Sequence, residues 1–138
     1  MEDGHGPGDD RVDAAVVGRL VADIGPEAVD ELCRVFAAEA RERLPAISAA
    51  CRSLDAGRAA AAAHRLKSAC GFLGVASLAW RCREIERLAR AGQVEGAGRL
   101  ADLAAAELDI VVDDLAGVVR ALAPKAATGP GAVTFPLP

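Results

Sequence analysis

Two histidines occur in the chain, and only His64 stands in a stretch that reads as regular structure. An unprotonated imidazole nitrogen is nucleophilic near neutral pH and can accept a phosphoryl group covalently. Lys67, three residues on, shares a side of a helix with it. Its ammonium would stabilise the strongly anionic product as a point charge. Taken alone, Lys67 fits an ordinary surface lysine equally well. His5 lies in a Gly-rich, acidic N-terminal stretch and suggests no role.

The stretch that carries His64 runs from Ala59 to Gly74 and has helical periodicity. With Leu66 as the centre of the buried face and about 100° per residue, Ala59, Ala62, Ala69, Cys70 and Leu73 fall on the same side. His64 lies about 200° from Leu66 and is expected to point to solvent. Its expected outer-face neighbours are Ala60, Ala61, Lys67, Ser68 and Gly71, almost without side-chain bulk. A solvated helix face normally carries Glu, Lys and Arg, as the next helix does with Arg81, Arg83, Glu84 and Arg87. Gly71 costs ~1 kcal/mol of helix stability relative to Ala. Two readings fit: a second protein must come close to the imidazole, or an Ala-rich chain places Ala everywhere.

The elements that would hold this helix follow from apolar spacing and punctuation. A short first helix is expected from an Asp13 N-cap to Ile24, with Val16, Val17 and Leu20 facing inward. Gly25-Pro26-Glu27 restarts the chain, since Pro suits a first turn and Glu the positive helix end. A second helix places Val29, Leu32, Phe36, Ala40, Ile47 and Leu54 on one stripe, is interrupted at Pro45, and stops at Asp55-Ala56-Gly57. The third runs from about Arg58 to Leu73 and ends at Gly74. A fourth starts near Ser77 and ends at Ala91-Gly92. The fifth spans roughly Gly98 to Ala123, with Leu100, Ala104, Leu108, Val111, Leu115, Val118 and Leu122 in register. Four amphipathic helices joined by short loops indicate an all-α, antiparallel four-helix bundle with a short additional N-terminal helix. Residues 1–11 are read as a flexible tail, 12–123 as the folded domain, and 124–138 as a flexible Pro/Gly-rich tail.

Composition excludes several classes. The 138 residues suffice for one domain, with 52% hydrophobic and 3% aromatic residues, so the apolar content is mainly Ala, Leu and Val. That suits closely packed helices better than a sandwich of strands. Net charge is −4 with no basic run, which argues against nucleic acid. No apolar run approaches the ~20 residues that span a bilayer, and the N-terminus has the wrong composition for a signal peptide, so a cytoplasmic location is expected. Cys33, Cys51, Cys70 and Cys82 show no CxxC pairing and are read as small buried apolar residues. Trp80 lies about 200° from Leu78, either covering the bundle end under the first helix or belonging to a partner surface. Glu107 falls in an apolar stripe and is expected to be half-exposed and bonded to an Arg. Neither a nucleotide-binding loop nor a cluster with metal-ligand spacing is visible, so no enzyme, metal or cofactor is expected.

The run His64-Arg65-Leu66-Lys67-Ser68-Ala69-Cys70-Gly71-Phe72-Leu73-Gly74 resembles the signature of histidine-containing phosphotransfer (HPt) domains. That signature reads His, any residue, an aliphatic residue, Lys, small residues, then aliphatic-Gly. Phe36 with Glu39 resembles the family's F-x-x-E helix, and Leu54-Asp55-Ala56-Gly57 its loop before the active helix. Leu78 through Ile85-Glu86 to Arg90-Ala91-Gly92 resembles the helix that follows. The resemblance implies that His64 is phosphorylated, that Lys67 contacts the phosphate, and that Ser68 stands where the family usually has Gly and could hydrogen-bond the phosphoryl group. The bare face around His64 marks a candidate docking surface of Ala60, Ala61, Ser68, Gly71 and Phe72. The resemblance further implies a carrier without kinase activity, served by a sensor (hybrid) histidine kinase and by response-regulator receiver domains that supply the Asp and the Mg²⁺. A monomer is expected. The alternative is a helical module that binds a receiver or kinase as a regulator without being phosphorylated.

Overall fold

The computed structural model describes residues 10–123, and among these every regular element is a helix. Helix α1 (Ala14–Ile24) begins where the Asp13 carboxylate accepts hydrogen bonds from the Ala15 and Val16 N–H groups at 3.1 and 3.4 Å. It satisfies donors that a helix start leaves unpaired. Gly25, at φ +89°, turns the chain directly into α2 (Pro26–Arg52), whose first residue is the expected proline. Helix α2 continues past Pro45 as a single element.

Two boundaries differ from the reading of the sequence. Asp55-Ala56-Gly57 does not stop α2, which ends at Arg52; Asp55 instead caps α3 (Ala56–Leu73) by accepting from the Arg58 N–H at 3.1 Å. The turn is made by Leu54 at φ +61°, so Leu54 is exposed and leaves the α2 apolar stripe. After α4 (Ala76–Arg90), α5 (Val94–Leu122) begins four residues before Gly98. Gly98 lies inside it against α2, where an added Cβ would stand 3.2 Å from the Cys51 Cβ. A glycine that reads as a boundary is thus a point of close helix packing.

The helices pack as a ring. Helix α2 lies chiefly on α5 and α3 chiefly on α4, and the α4–α5 and α2–α3 seams close the circle. Directions follow from paired positions. Arg41 meets Asp109 and Cys51 meets Gly98 across α2–α5. Arg81 meets Glu107 and Leu88 meets Gly96 across α4–α5. Both seams are antiparallel, as is α3–α4, and α1 packs against α2, α3 and α5. This is the expected four-helix bundle with its extra N-terminal helix. Leu44, Ile47, Leu66, Ile85 and Leu115 fill its centre, and all four cysteines are buried and unpaired. Leu20, Leu100 and Val118 are only partly buried, Val16 is half-buried, and Leu122 is exposed. Arg11, read as the end of the N-terminal tail, is held to the bundle. Its carbonyl accepts from the Ser77 N–H at 3.2 Å and its guanidinium binds Asp114 at 2.8 Å. Residues 1–9 and 124–138, the rest of the two expected tails, lie outside the described residues. Among the described residues no helix is long and apolar enough to cross a membrane.

Gly74 ends α3 in the left-handed conformation, φ +76°, with its N–H bonded back to Cys70 and Gly71 carbonyls. Its carbonyl accepts from the Asp13 N–H at 2.7 Å, and a Cβ there would lie 3.0 Å from the Val16 Cβ. Gly74→Ala is therefore expected to lower stability by ~1–3 kcal/mol. Gly71→Ala, into open space in the same helix, should raise it by up to ~1 kcal/mol. Urea denaturation followed by circular dichroism distinguishes the two signs.

Candidate functional site

Helix α3 buries Ala59, Ala60, Ala63, Leu66, Cys70 and Leu73. Its buried face is centred nearer to Ala63 and Cys70 than to Leu66 alone, while Ala62 and Ala69 are only partly buried. His64 therefore does not point directly away from the bundle. It stands on the shoulder toward α4, with its side chain 56% exposed and Nδ1 3.1 Å from the nearer carboxylate oxygen of Glu86.

Glu86 organises the site from α4. Its side chain is only 11% exposed, yet it meets three basic groups. Lys67 donates from Nζ to Oε1 at 3.0 Å, and Arg90 donates to Oε2 from Nε at 3.0 Å and from Nη2 at 2.8 Å. Desolvation by itself would push the carboxyl pKa up, but the hydrogen bonds from Lys67, Arg90 and His64 outweigh it and hold the group at about 2. At neutral pH the carboxylate is thus ionised and can only accept hydrogen bonds. The contact with His64 then requires a proton on Nδ1. In the neutral ring this leaves Nε2, with its lone pair, unprotonated in a side chain that is more than half exposed.

The remaining sequence-predicted site residues divide. Lys67 is half-buried on the same carboxylate as His64, so the two are brought together through a third residue. Ser68 is exposed, and its hydroxyl donates to the His64 carbonyl at 3.2 Å, one turn back along the helix. Ala61 and Gly71 are exposed, with open space where a Gly71 Cβ would be, and Phe72 is 59% exposed. Ala60 is the exception among the expected docking residues. It is only 2% exposed, because it lies about 60° from Ala63 on the shoulder that α4 covers. Glu86 and Arg90 belong to the α4 pattern, but the sequence alone assigns them no role. The readable signal was Glu86's place among Cys82, Ile85 and Ala89, since a carboxylate in an apolar stripe requires partners. Glu107 has the partner expected of it: Arg81 donates to both its oxygens, at 3.0 and 3.1 Å. Trp80 is half-buried. Among the described residues no group of three or more His, Cys, Asp or Glu could hold a metal ion.

Comparison with known proteins adds one finding. The family model of the Hpt domain matches residues 31–118, which takes in most of α2, all of α3 and α4, and most of α5. No curated protein and no solved structure matches the chain.

The depressed carboxyl of Glu86 makes stability depend on pH in a defined window. A carboxyl that is more acidic when folded contributes its full stabilisation above the ordinary value of 4.5, and loses it as pH falls toward about 2. Glu86→Gln should therefore be less stable than wild type at pH 7, by ~1–3 kcal/mol. Between pH 4.5 and 2 its stability should change less than that of wild type, so the two curves converge. Urea midpoints measured across this range test the assignment; parallel curves would contradict it.

Proposed function

The chain belongs to the Hpt domain family, which serves histidine phosphotransfer in two-component signalling, and we propose that this chain carries the phosphoryl group on Nε2 of His64. The observation behind this reading is that Nδ1 is engaged by an ionised carboxylate on a side chain that is itself 56% exposed, which leaves Nε2 as the ring nitrogen for the phosphoryl group. The donor would be the aspartyl phosphate of a receiver domain attached to a sensor histidine kinase. Nε2 attacks phosphorus, the bond from phosphorus to the Asp oxygen breaks, and the electron pair leaves with the receiver carboxylate. The Nδ1 proton stays in its hydrogen bond to Glu86, which offsets the positive charge that develops on the ring. A second response-regulator receiver then takes the group by the reverse steps. Magnesium chemistry belongs to the receivers, which supply Asp and Mg²⁺; the chain itself acts as a carrier without kinase activity, cytoplasmic and monomeric.

Lys67 is within reach of the phosphoryl group by virtue of its place three residues from His64 on the same side of α3. An ammonium there offsets part of the dianion's charge. Ser68 Oγ, one turn from the imidazole, would supply a further hydrogen bond after leaving the His64 carbonyl. The docking surface comprises Ala61, Ser68, Gly71 and Phe72. Its small residues let a receiver bring its active site up to the ring, and Phe72 offers an exposed apolar anchor.

Incubation with a phosphorylated receiver should give an acid-labile, base-stable label on this protein. His64→Gln should abolish the label with helical content unchanged, and ¹⁵N–³¹P couplings should place the phosphorus on Nε2. Label persisting in His64→Gln, or phosphorus on Nδ1, would overturn the reading.

The docking face has its own test. Gly71→Arg should leave the melting temperature unchanged or raised, since it replaces a poor helix former at an open position. It should nevertheless slow transfer from the receiver by at least about tenfold, as expected if bulk there costs the encounter ~1.4 kcal/mol or more. Transfer at the wild-type rate would remove Gly71 from the docking surface.

A further inference from the structure

Arg90 is exposed, stands on a different helix from His64, and directs its hydrogen bonds to Glu86 rather than to the imidazole. It nevertheless places two hydrogen bonds on Oε2 of Glu86, the same oxygen that lies 3.1 Å from His64 Nδ1. Lys67 takes the other oxygen. The carboxylate therefore has two cations in the unphosphorylated protein, one on each oxygen. That is more than a single carboxylate needs for charge balance. Resting on the proposed phosphorylation of His64, we propose that Arg90 is a positioning residue that holds Glu86 so that Lys67 can leave it for the phosphoryl group.

The reasoning is electrostatic. A phosphoryl group on Nε2 brings a second strong anion within a few ångströms of Lys67. The Lys67 ammonium is then drawn toward phosphate oxygens and gives up some or all of its bond to Glu86. Without another cation, Glu86 would be a largely buried carboxylate beside a dianion, a combination that costs free energy and favours taking up a proton. A protonated Glu86 no longer requires the Nδ1 proton and loosens its hold on the ring. Arg90 removes this conflict. Its guanidinium does not deprotonate, and both its donors converge on the oxygen nearest to Nδ1. Glu86 thus keeps its charge and its grip on the imidazole while Lys67 moves. Position on the helix favours this arrangement: Arg90 lies four residues after Glu86 in the last turn of α4, the favourable order for a Glu–Arg pair and the favourable end for a cation.

The distinguishing consequence is coupling between Arg90 and Lys67. Wild type, Arg90→Ala, Arg90→Lys, Lys67→Ala and the Lys67→Ala/Arg90→Ala double variant are incubated with phosphoramidate. This small donor needs no receiver docking: its P–N bond breaks, ammonia leaves, and the phosphoryl group passes to Nε2. The steady-state phosphorylated fraction is read by ³¹P NMR, and the His64 tautomer by imidazole ¹⁵N shifts. Arg90→Ala should lower the ratio of phosphorylated to free protein about two- to fivefold, the range open to one partly exposed ion pair. Arg90→Lys should recover part of the loss. In the Lys67→Ala background Arg90 is the remaining Lys or Arg cation on Glu86, so removing it should lower the ratio at least as much as in wild type and should also loosen the Nδ1–H tautomer of the free protein. The unphosphorylated Arg90→Ala protein should keep its Nδ1–H tautomer, since Lys67 still neutralises Glu86. A smaller loss in the Lys67→Ala background than in wild type, a double variant that keeps its Nδ1–H tautomer unchanged, or no loss in Arg90→Ala, would overturn the positioning role. Wild type that takes no phosphoryl group on His64 would instead defeat the underlying reading, and the role of Arg90 would fall with it.

Discussion

A carboxylate taken out of water must be matched by donors at close range, and in this protein the burial of Glu86 decides how α3 and α4 meet. The match is possible because the two helices are joined by a very short turn at Gly74 and Val75. His64 and Glu86 each lie about ten residues, or ~15 Å along a helix, from that turn, so they arrive at the same level. Nearer to it, Cys70 and Cys82 lie together and are fully buried. Displacing α4 by one helical turn would withdraw the carboxylate from both His64 and Lys67. The cost of stranding such a charge, ~3–5 kcal/mol, is comparable to a large share of the stability of a small domain. Imidazole geometry and helix register are thus secured by the same contact.

The alanines of α3 have a related purpose. A helix surface made of Ala59, Ala60 and Ala63 lets α4 approach closely, which brings Glu86 within hydrogen-bond distance of a ring on the shoulder of α3. Larger residues there would hold the helices apart and leave His64 fully in solvent, where neither its tautomer nor its orientation would be controlled. On the outer side, Ala61 and Gly71 leave the imidazole accessible. Small side chains therefore do two things on one helix, close packing inward and unobstructed approach outward. The bulk of the core comes from elsewhere: Leu44 and Ile47 on α2, Ile85 on α4 and Leu115 on α5.

Much of this was legible from the residues. Asp13, Gly25 and Gly74 mark helix ends because the first caps backbone donors and the other two take positive φ. Spacing and the surrounding motif single out His64 and Lys67 as candidates, and the structure brings both onto the Glu86 carboxylate. Ala60 was misplaced because a helical wheel indicates the direction of a buried face but not its width, which depends on how near the neighbouring helix comes. Gly98 reads as the start of α5, whereas it lies inside the helix and admits Cys51. Glu86 and Arg90 went without roles for a different reason. Their importance lies in contacts across the α3–α4 seam, and periodicity along one helix carries no information about which residue of another helix stands opposite.

A second buried ion pair completes the account of how α4 is placed. Arg81, almost wholly buried, donates twice to Glu107 on α5, while five residues later Glu86 receives three donors on the flank toward α3. Helix α4 therefore presents a buried cation to one neighbour and a buried anion to the other. Apolar packing of Ala, Val and Leu is tolerant of helix rotation and sliding, because one methyl contact substitutes for another. Ion pairs are not tolerant in this way: a rotation that turned Glu86 toward α5 would set it near Glu107, and Arg81 would lose its partner. The two pairs thus specify which flank of α4 faces which helix. The alignment of Glu86 with His64 is a consequence of that specification as much as of the turn that precedes it.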